Sequence, residues 1–424
     1  MTAREYLFSL EQVGIKLGLE QIRLLLVALD CPDLAYPSIV VAGTNGKGSV
    51  TAIIERGLRE TGYRTGRYTS PHLVDIEERV AIDGVSILPA TFDRLAARIR
   101  QAAASLPFPP SFFEATTALA LEAFRDAAVD AAVLEVGLGG RLDATNAVTP
   151  VLSVITAIDL DHQQYLGDSI DMIAAEKAGI IKPGVPTVLG CNTDRLRAII
   201  QRVADERGSP LIYAPDGVDV RASITDGVTG LLLTTPAGAW PPLTLGLRGR
   251  HQIDNAVTAA RALEALDAAG VLAVPDAARH GALEHVQWPA RLEMRAWRHQ
   301  ARLFDVLIDG AHNPAGARAL ARYLGEAYDR PLPIVFGVMQ DKDIDGLVQE
   351  LAPAASAFVC TRPQSPRAAR PDDLAERIRA VAPDLPVVTA ETPVAALAAA
   401  ASFGQPIVVA GSLYLAGEIR GLLS

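Results

Sequence analysis

The sequence predicts an α/β protein with two parts. The first is a mostly parallel sheet domain with a P-loop-type phosphate-binding turn and a small antiparallel addition, and the second is a smaller Rossmann-like α/β domain. Two observations predict this class. Short apolar runs of strand-forming residues alternate with segments of helical periodicity, which is typical of a parallel sheet with helical crossovers. In addition, a glycine-rich turn at residues 43–49 stands directly between one such run and a helical pattern.

The first domain begins with an amphipathic stretch from Leu19 to Leu29. The apolar run Ser38–Ala42 follows and leads through the glycine-rich turn into a helical pattern from Ser49 to about Glu60. Later apolar runs predict further strands at Ala132–Val136, Val151–Ala157 and Pro186–Leu189, with helices predicted at Thr116–Phe124 and Ile170–Ala178.

The pattern changes between Leu211 and Leu247, where apolar and polar residues alternate. Turn signals at Asp216-Gly217 and Asp226-Gly227 predict a small antiparallel addition to the first domain.

A second α/β series starts near Arg302, and most of its apolar runs are followed by a helix-like stretch. We place the boundary near Trp288–Arg291, which predicts domains at 1–290 and 291–424. The strands predicted in this series are Leu303–Ile308, Pro333–Val338, Ala357–Thr361, Pro386–Thr389 and Pro406–Ala410.

Composition limits the classes of function. With 424 residues the chain exceeds what one hydrophobic core usually serves, so two domains are expected. No stretch of about eighteen residues is free of both charge and turn formers, which argues against a membrane span. The formal net charge of -10 gives no global attraction for nucleic acid, so small molecules are the expected partners.

The N-terminal residues and the cysteines indicate a cytoplasmic location. Acidic residues stand where a signal peptide needs an apolar run. Cys31, Cys191 and Cys360 are few, far apart and odd in number, and we interpret all three as buried thiols in a reducing compartment. A monomer is expected.

The sharpest local signal is the run Gly43-Thr44-Asn45-Gly46-Lys47-Gly48-Ser49 between the strand and the helix. Glycines let backbone N–H groups close around phosphate oxygens, the helix N-terminus contributes its positive end, and Lys47 neutralises phosphate charge. The spacing departs from the usual Walker pattern, with two residues rather than four between Gly43 and Gly46. The run predicts a phosphate site.

A nucleoside triphosphate needs a divalent cation, and Glu135 is the candidate ligand. It closes an apolar run and opens the loop at 136–146, at the carboxyl end of a predicted strand where α/β sheets hold ligands. A solvated edge charge is the alternative interpretation of this position.

Several motifs then follow in an order that resembles one family. The chain contains VAGTNGKGSV, YTSPHL, EVGLGGRLDATN, DH with YLG, EKAGI, RGRHQIDNA, DGAHNP, GVMQDKD and GSLYL. This series resembles folylpolyglutamate synthase and the bifunctional dihydrofolate synthase of the Mur ligase superfamily, from about Gly18 to Leu415.

The resemblance implies binding sites for ATP and for two magnesium ions. It assigns ATP to Thr44, Asn45, Gly46, Lys47, Gly48, Ser49, Asn255, Arg291 and Asp309, and magnesium to Ser70, Glu135, His162 and Lys177. Composition alone describes Lys177 as an ordinary lysine near a helix C-terminus. The resemblance implies that it is carbamylated, which turns a cation into a carboxylate-like ligand. One departure is Ala290, where the family commonly has glycine.

The resemblance also implies catalytic and pterin-binding residues. The catalytic set is Lys47, Lys177 and His312, with His312 on the glutamate side. The pterin or folate set is Gly18, Leu19, Glu20, Phe112, Phe113, Glu114, Leu142, Asp143 and Ala144. Asp143 is expected to pair with the pterin ring, and the aromatic residues are expected to form an apolar wall.

The function implied is an ATP-dependent ligase that adds L-glutamate to dihydropteroate and to folate glutamates through an acyl phosphate. A folylpolyglutamate synthase without the dihydrofolate synthase activity remains open. A ligase for UDP-linked substrates normally has a further N-terminal domain, and only about forty residues precede the phosphate run. A P-loop GTPase or regulatory nucleotide-binding module leaves residues 302–424 without a role and lacks a guanine-reading Asn-Lys-x-Asp.

Overall fold

A computed structural model describes residues 1–14, 16–225 and 227–423. It confirms the predicted α/β class and shows two compact units. The first unit comprises Met1–Arg221, Leu232–Leu243 and Ile253–Val286, and the second comprises Ala222–Leu231, Thr244–Gln252 and Gln287–Ser424. The division into functional domains at 1–290 and 291–424 stays a prediction.

The first unit is built on an eight-stranded sheet. Its strands are β1 Ser38–Ala42, β2 Thr65–Tyr68, β3 Val80–Ile82, β4 Val85–Ser86, β5 Ala131–Glu135, β6 Leu152–Ile155, β7 Thr187–Leu189 and β8 Leu211–Tyr213. The order across the sheet is β4-β3-β2-β5-β1-β6-β7-β8. From β2 to β8 neighbouring strands are parallel, and β3 and β4 form an antiparallel edge.

Helices flank this sheet and close its core. They are α1 Ala3–Ser9, α2 Glu20–Ala28, α3 Lys47–Glu60, α4 Pro89–Ala103, α5 Phe112–Asp126, α6 Gln163–Leu166, α7 Ile170–Ala178 and α8 Asp194–Glu206. Every residue of the central strands β1 and β5 is buried, as expected for strands covered on both faces. Short 3₁₀ turns occur at Leu10–Val13, Pro32–Leu34, Ile76–Arg79 and Ala144–Ala147.

The predicted antiparallel addition is confirmed as a separate four-stranded sheet. Its strands are β9 Asp219–Thr225, β10 Val228–Thr235, β11 Gly238–Ala239 and β12 Leu243–Leu245. Asp226, the first residue of the second predicted turn, lies outside the described residues. Residues of this sheet are divided between the two units, so the addition does not belong to the first unit alone.

Two helices follow, and then the sheet of the second unit. The helices are α9 His251–Ala268 and α10 Asp276–His285. The strands are β13 Glu293–His299, β14 Arg302–Ile308, β15 Leu332–Phe336, β16 Ala355–Cys360, β17 Val387–Thr389 and β18 Ile407–Ala410, in the order β13-β14-β18-β15-β16-β17. β13 is antiparallel to β14, and the other neighbours are parallel.

Five helices complete the second unit. They are α11 Pro314–Ala327, α12 Ile344–Leu351, α13 Pro371–Val381, α14 Pro393–Ala400 and α15 Leu413–Leu422, with a 3₁₀ turn at Ala352–Ala354. Leucine, isoleucine, valine and phenylalanine from the sheet and these helices form a core of their own. Within the described residues, no helix combines the length and apolar character that a membrane crossing requires.

The interpretation of all three cysteines as buried thiols is wrong for two of them. Cys360 is buried in β16, but Cys31 is half-buried and Cys191 is exposed. Cys191 lies in the loop that begins after β7 ends at Leu189.

Candidate active site

Four neighbouring parallel strands bring polar residues to one edge of the first sheet. β2, β5, β1 and β6 are adjacent, and Val41 lies opposite Glu135 while Ala42 lies opposite Ile155. The chain leaves the carboxyl ends of these strands at Ser70, Glu135, the phosphate loop (Gly43–Gly46) and residues 156–162. Ligands of α/β sheets bind at the carboxyl ends of the strands. The predicted phosphate and metal residues of the first unit therefore lie together at the edge of the sheet where a ligand is expected.

Hydrogen bonds from the neighbouring loop hold the phosphate loop. The backbone N–H groups of Thr44 and Asn45 donate to the Ala157 carbonyl at 2.8 and 3.3 Å. The Thr156 hydroxyl donates to the Asn45 carbonyl at 2.7 Å. Since the N–H groups of Thr44 and Asn45 are engaged within the protein, phosphate contacts are left to the start of α3.

The start of α3 offers its backbone N–H groups. The first intrahelical bond runs from Val50 N to Gly46 O at 2.9 Å, so the helix does not use the N–H groups of Lys47, Gly48 and Ser49. The Ser49 hydroxyl is buried and has no hydrogen-bond partner among the described residues. These groups fit a bound phosphate, because a helix N-terminus is positive and its N–H groups point outward.

Two glycines of the loop are required by close packing. A Cβ atom on Gly43 would lie 1.8 Å from Thr156 Oγ1, and one on Gly46 would lie 2.2 Å from Asn255 Oδ1. Gly46 also has φ of 88°, which disfavours other residues. Asn255 on α9, one of the residues that the resemblance assigns to ATP, therefore lies directly against the phosphate loop.

Two lysines converge on the carbonyl of Gly43. Lys47 Nζ donates to it at 3.1 Å and Lys177 Nζ at 2.7 Å. Lys177 is buried, and burial, reinforced by the charge of Lys47, lowers its pKa to about 7. The structure thus corrects the interpretation of Lys177 as an ordinary helix lysine, because its amine faces the phosphate loop and is partly neutral at physiological pH.

Glu135 and Ser70 lie together at the ends of β5 and β2. Glu135 is buried, and its Oε2 accepts the Ser70 N–H at 3.1 Å. Among the described residues no three His, Cys, Asp or Glu side chains form a metal-ligating group. Magnesium commonly takes one or two carboxylates and completes its shell with water and phosphate oxygens, so the donors at Glu135 and Ser70 fit this ion.

The loop after β6 carries the predicted ligand His162. This residue has φ of 51° and precedes α6, and its Nε2 lies 3.9 Å from Asp161 Oδ1. The negative charge of Asp161 acts on Lys177 and partly opposes the lowering of its pKa. Asp161 therefore belongs to the same electrostatic group as the phosphate loop, although only the histidine of the pair was predicted.

Asp143 has an internal structural role. Its Oδ2 accepts the Leu138 N–H at 2.8 Å, and its Oδ1 accepts the Thr145 N–H at 3.0 Å and the Thr145 hydroxyl at 2.6 Å. Burial raises the pKa of this carboxyl. Asp143 thus orders the loop that follows Glu135, and its hydrogen bond to a pterin stays a prediction.

The two predicted aromatic residues differ in their surroundings. Phe113 lies against Gly137, where a Cβ atom would be 2.4 Å from the ring. Phe112 stacks on Phe8 with ring centroids 6.1 Å apart, and the Arg79 guanidinium lies 5.2 Å from its ring centroid. Phe113 also lies 6.0 Å from the Tyr68 ring, measured between centroids, so both aromatic residues are packed within the first unit and their contact with a pterin stays a prediction.

The other predicted pterin residues lie on the same unit. Glu114 caps α5, since its Oε2 accepts the Ser111 N–H at 2.7 Å and the Ser111 hydroxyl at 2.8 Å. Glu20 is exposed at the start of α2, Gly18, Leu19 and Leu142 are half-buried, and Ala144 is buried. Their contact with a ligand stays a prediction.

In the second unit, Asp309 organises the segment around Arg291. Its Oδ2 accepts the Leu292 N–H at 3.0 Å and its Oδ1 accepts the Ala311 N–H at 2.9 Å. Burial raises the pKa of Asp309, and the positive charge of Arg291 opposes this shift. The predicted pair Arg291 and Asp309 is thus brought together.

The backbone beside Arg291 is strained. Ala290 and Leu292 have φ of 54° and 50°, a region that costs energy for residues other than glycine. Arg291 Nη1 donates to the Ala290 carbonyl at 2.9 Å, and a Cβ atom on Gly310 would lie 2.6 Å from the same nitrogen. The glycine that the resembling family has at position 290 is explained by this φ, and Ala290 adopts it nevertheless.

His312 lies in the loop between β14 and α11. Its Nδ1 lies 2.8 Å from the Gly310 carbonyl, which can only accept, so Nδ1 carries the proton. In the neutral ring Nε2 then holds the lone pair. This tautomer suits a group that receives a proton.

The sequence of this chain is similar to those of Mur ligases. The model of the Mur ligase middle domain matches residues 109–263, and that of the Mur ligase glutamate ligase domain matches residues 290–413. The chain is 40% identical to the dihydrofolate synthase/folylpolyglutamate synthase of Mycobacterium tuberculosis over 375 residues, which are 83% of this chain and 75% of that protein. The chain belongs to the dihydrofolate synthase/folylpolyglutamate synthase family.

Solved structures of this family share the fold over the whole chain. Mycobacterium tuberculosis folylpolyglutamate synthase complexed with ADP is similar, with a TM-score of 0.90, 35% identity and coverage of 100% of this chain and 98% of that chain. E. coli FolC in complex with DHPP and ADP has a TM-score of 0.87 and 30% identity, and covers 100% and 97% respectively. The chain is an ATP-dependent ligase, as predicted, and the alternative of a GTPase or regulatory module has no support.

Sequence reasoning missed two residues near the end of β2. Arg79 Nε donates to His72 Nδ1 at 3.0 Å, and burial together with the charge of Arg79 lowers the pKa of His72 to about 4. His72 lies within the YTSPHL motif, which by itself assigns it no role. No local pattern marks Arg79, because its contacts with His72 and Phe112 depend on the fold.

Proposed function

We propose that this chain adds L-glutamate to dihydropteroate and to folate glutamates, using ATP and an acyl-phosphate intermediate. The proposal rests on Lys47 and Lys177 meeting at Gly43 beside Glu135, at the carboxyl ends of four parallel strands. It is supported by the family relatives described above. A single folylpolyglutamate synthase activity is the alternative within the same mechanism.

In the first step, a carboxylate oxygen of the pteroate or folate attacks the γ-phosphorus of ATP. The bond from this phosphorus to the bridging oxygen breaks, so an acyl phosphate forms and ADP leaves. Lys47 and the N–H groups at the start of α3 would stabilise the charge that spreads over the phosphate oxygens. Asn255 would meet the adenine, and Arg291 and Asp309 would meet phosphate and ribose.

Magnesium, held by Ser70 and Glu135 and at a second site by His162 and Lys177, would neutralise charge on the β- and γ-phosphates when bound. Glu135 supplies a buried carboxylate of the kind this ion prefers. The backbone N–H of Ser70 bonded to Glu135 orients that carboxylate.

In the second step, the amine of glutamate attacks the acyl carbon. A C–N bond forms, the bond from the carbon to the phosphate oxygen breaks, and phosphate leaves. The amine must lose its protons, and we propose that Nε2 of His312 accepts one of them, since Nδ1 already donates to Gly310.

Carbamylation of Lys177 is part of the proposal. A carbamate forms when a neutral amine attacks carbon dioxide, and the buried Lys177 has a pKa of about 7, compared with 10.5 for an ordinary lysine. A carbamate would also replace a second positive charge beside Lys47 with a negative one. Such a change would favour a cation at this position.

The direct test offers purified protein ATP, magnesium and glutamate, with dihydropteroate in one tube and tetrahydrofolate in another. The mass of each product reports whether a glutamyl residue was added, and ADP release reports the coupling. Products in both tubes support the bifunctional proposal, and a product with tetrahydrofolate alone supports the alternative. No product in either tube would sink the proposal. A cytoplasmic location and a monomeric state stay predictions.

A further inference from the structure

Arg79 is a buried cation that has no carboxylate partner among the described residues. The residue exposes only 9% of its surface. Its side chain donates to His72 Nδ1 at 3.0 Å and lies 5.2 Å from the centroid of the Phe112 ring, and neither partner carries negative charge. A charge removed from water without a counter-charge is costly, so such a residue points to an anionic ligand.

The acidic residues closest along the chain are engaged elsewhere. Glu77 pairs with Arg4, with Oε1 accepting Nη2 at 2.5 Å. Glu78 accepts the backbone N–H groups of Leu73 and Val74 at 2.8 and 3.2 Å. Neither carboxylate neutralises Arg79.

The position of Arg79 restricts which anion it meets. His72 stands two residues after Ser70, and Phe112 directly precedes Phe113, so Arg79 links the end of β2 to the start of α5. Its Nε is used by His72, whereas its two terminal nitrogens form no hydrogen bond with any described residue. Two terminal N–H groups on a fixed guanidinium match the two oxygens of a carboxylate.

We propose that Arg79 binds the non-reacting carboxylate of the terminal glutamyl residue of a folate substrate. This inference rests on the proposed function. Dihydropteroate has one carboxylate, which must attack phosphorus, and a guanidinium bonded to both of its oxygens would oppose that attack. A folate carries a further carboxylate that does not react, so Arg79 is a specificity residue for elongation.

Arg79→Met and Arg79→Lys test the assignment against both acceptor substrates. For Arg79→Met, KM for tetrahydrofolate rises about 10- to 100-fold, the range expected for lost hydrogen bonds to a charged group. KM for ATP and KM for glutamate stay within about twofold of the wild type. With dihydropteroate as the acceptor, both kcat and KM also stay within about twofold. Arg79→Lys restores part of the tetrahydrofolate affinity because it retains the charge. Titration of tetrahydrofolate and dihydropteroate into the ADP-bound protein gives the same comparison as Kd values, independent of turnover.

Arg4→Met is the matched control, because it releases Glu77 from the same 3₁₀ turn and leaves the Arg79 guanidinium in place. It is expected to affect thermal stability and to leave the ratio of the two acceptor activities unchanged. Three results with a folded Arg79→Met protein overturn the inference. They are an equal loss of activity with both acceptors, a rise confined to KM for glutamate, and unchanged activity with tetrahydrofolate. A wild-type protein that glutamylates neither acceptor overturns the proposed function itself and this inference with it.

Discussion

Lys177 Nζ donates a 2.7 Å hydrogen bond to the carbonyl of Gly43, the first residue of the phosphate loop. The two residues are 134 positions apart in sequence. The contact places a second amine beside Lys47 in a region removed from water, and this lowers the pKa of Lys177 to about 7. The same contact makes Lys177 a candidate for reaction with carbon dioxide.

Replacing Lys47 by alanine is expected to abolish amide synthesis. The side chain is the one cation of the phosphate run itself, and loss of a preorganised charge donor costs about 100-fold or more in kcat. ADP and product formation measure the effect, and the exposed Lys16→Ala variant is the control for loss of a surface lysine. Wild-type turnover in Lys47→Ala would be incompatible with a triphosphate bound at this loop.

Lys177→Ala is expected to lose activity that a short carboxylic acid partly restores. The acid occupies the space of the carbamate and supplies the missing carboxylate, whereas a short amine of similar size does not. Activity measured against acetate or formate concentration, with methylamine as the comparison, checks this. If the variant turns over like the wild type without any added acid, carbamylation has no part in the reaction.

Activation by bicarbonate is expected to depend on pH through Lys177. Its pKa is lowered from 10.5 to about 7, so the amine is mostly protonated at about pH 6 and mostly neutral at about pH 8. Only the neutral amine attacks carbon dioxide, and carbamylation therefore increases as pH rises through 7. The measurement is ligase activity against pH, with protein that is first depleted of carbon dioxide and then given a fixed concentration of it. An activation that begins only near pH 10 would show that Lys177 is not buried as described.

Gly46→Ala is expected to weaken ADP binding by at least about tenfold, or about 1.4 kcal/mol. The added Cβ atom would lie 2.2 Å from Asn255 Oδ1, in a residue with φ of 88°. Gly62→Ala is the matched control, because Gly62 has φ of 98° at the other end of α3 and nothing within 4 Å of the added atom. Titration with ADP compares the two, and an equal loss in both variants would show that backbone strain, rather than the contact with Asn255, is responsible.

Asp309→Ala is expected to destabilise the second unit by about 2–4 kcal/mol, because the buried N–H groups of Leu292 and Ala311 lose their acceptor. Asp309→Asn also destabilises it, since an amide nitrogen cannot accept. Urea unfolding measures both variants, and Asp305→Ala, at an exposed position on the strand β14 that ends just before Asp309, is expected to change stability by less than about 0.5 kcal/mol. An unchanged free energy of unfolding in Asp309→Ala would mean that this carboxylate does not hold the segment around Arg291.

Much of the fold was predictable because its signals are local. The strand at Ser38–Ala42, the helix at Ile170–Ala178 and the second α/β series are encoded in apolar periodicity. The short strands at Thr65–Tyr68 and Val80–Ile82 were not predicted, since they contain arginine or only three residues and are stabilised by pairing with neighbours distant in sequence.

The candidate site divides in the same way. The sequence by itself placed Gly46 and Lys47 in a turn between a strand and a helix and Glu135 at the end of another strand, and the structure has them there. Their roles as phosphate site and metal ligand stay predictions. Only the tertiary structure decided that Lys177 is a buried amine and that the Asp143 carboxylate accepts hydrogen bonds from its own loop. It also decided that Arg79 is buried without a carboxylate partner in the part of the chain that the structure describes. Burial and pairing depend on atoms contributed by distant segments, and no local pattern encodes the desolvation that changes the chemistry of these groups.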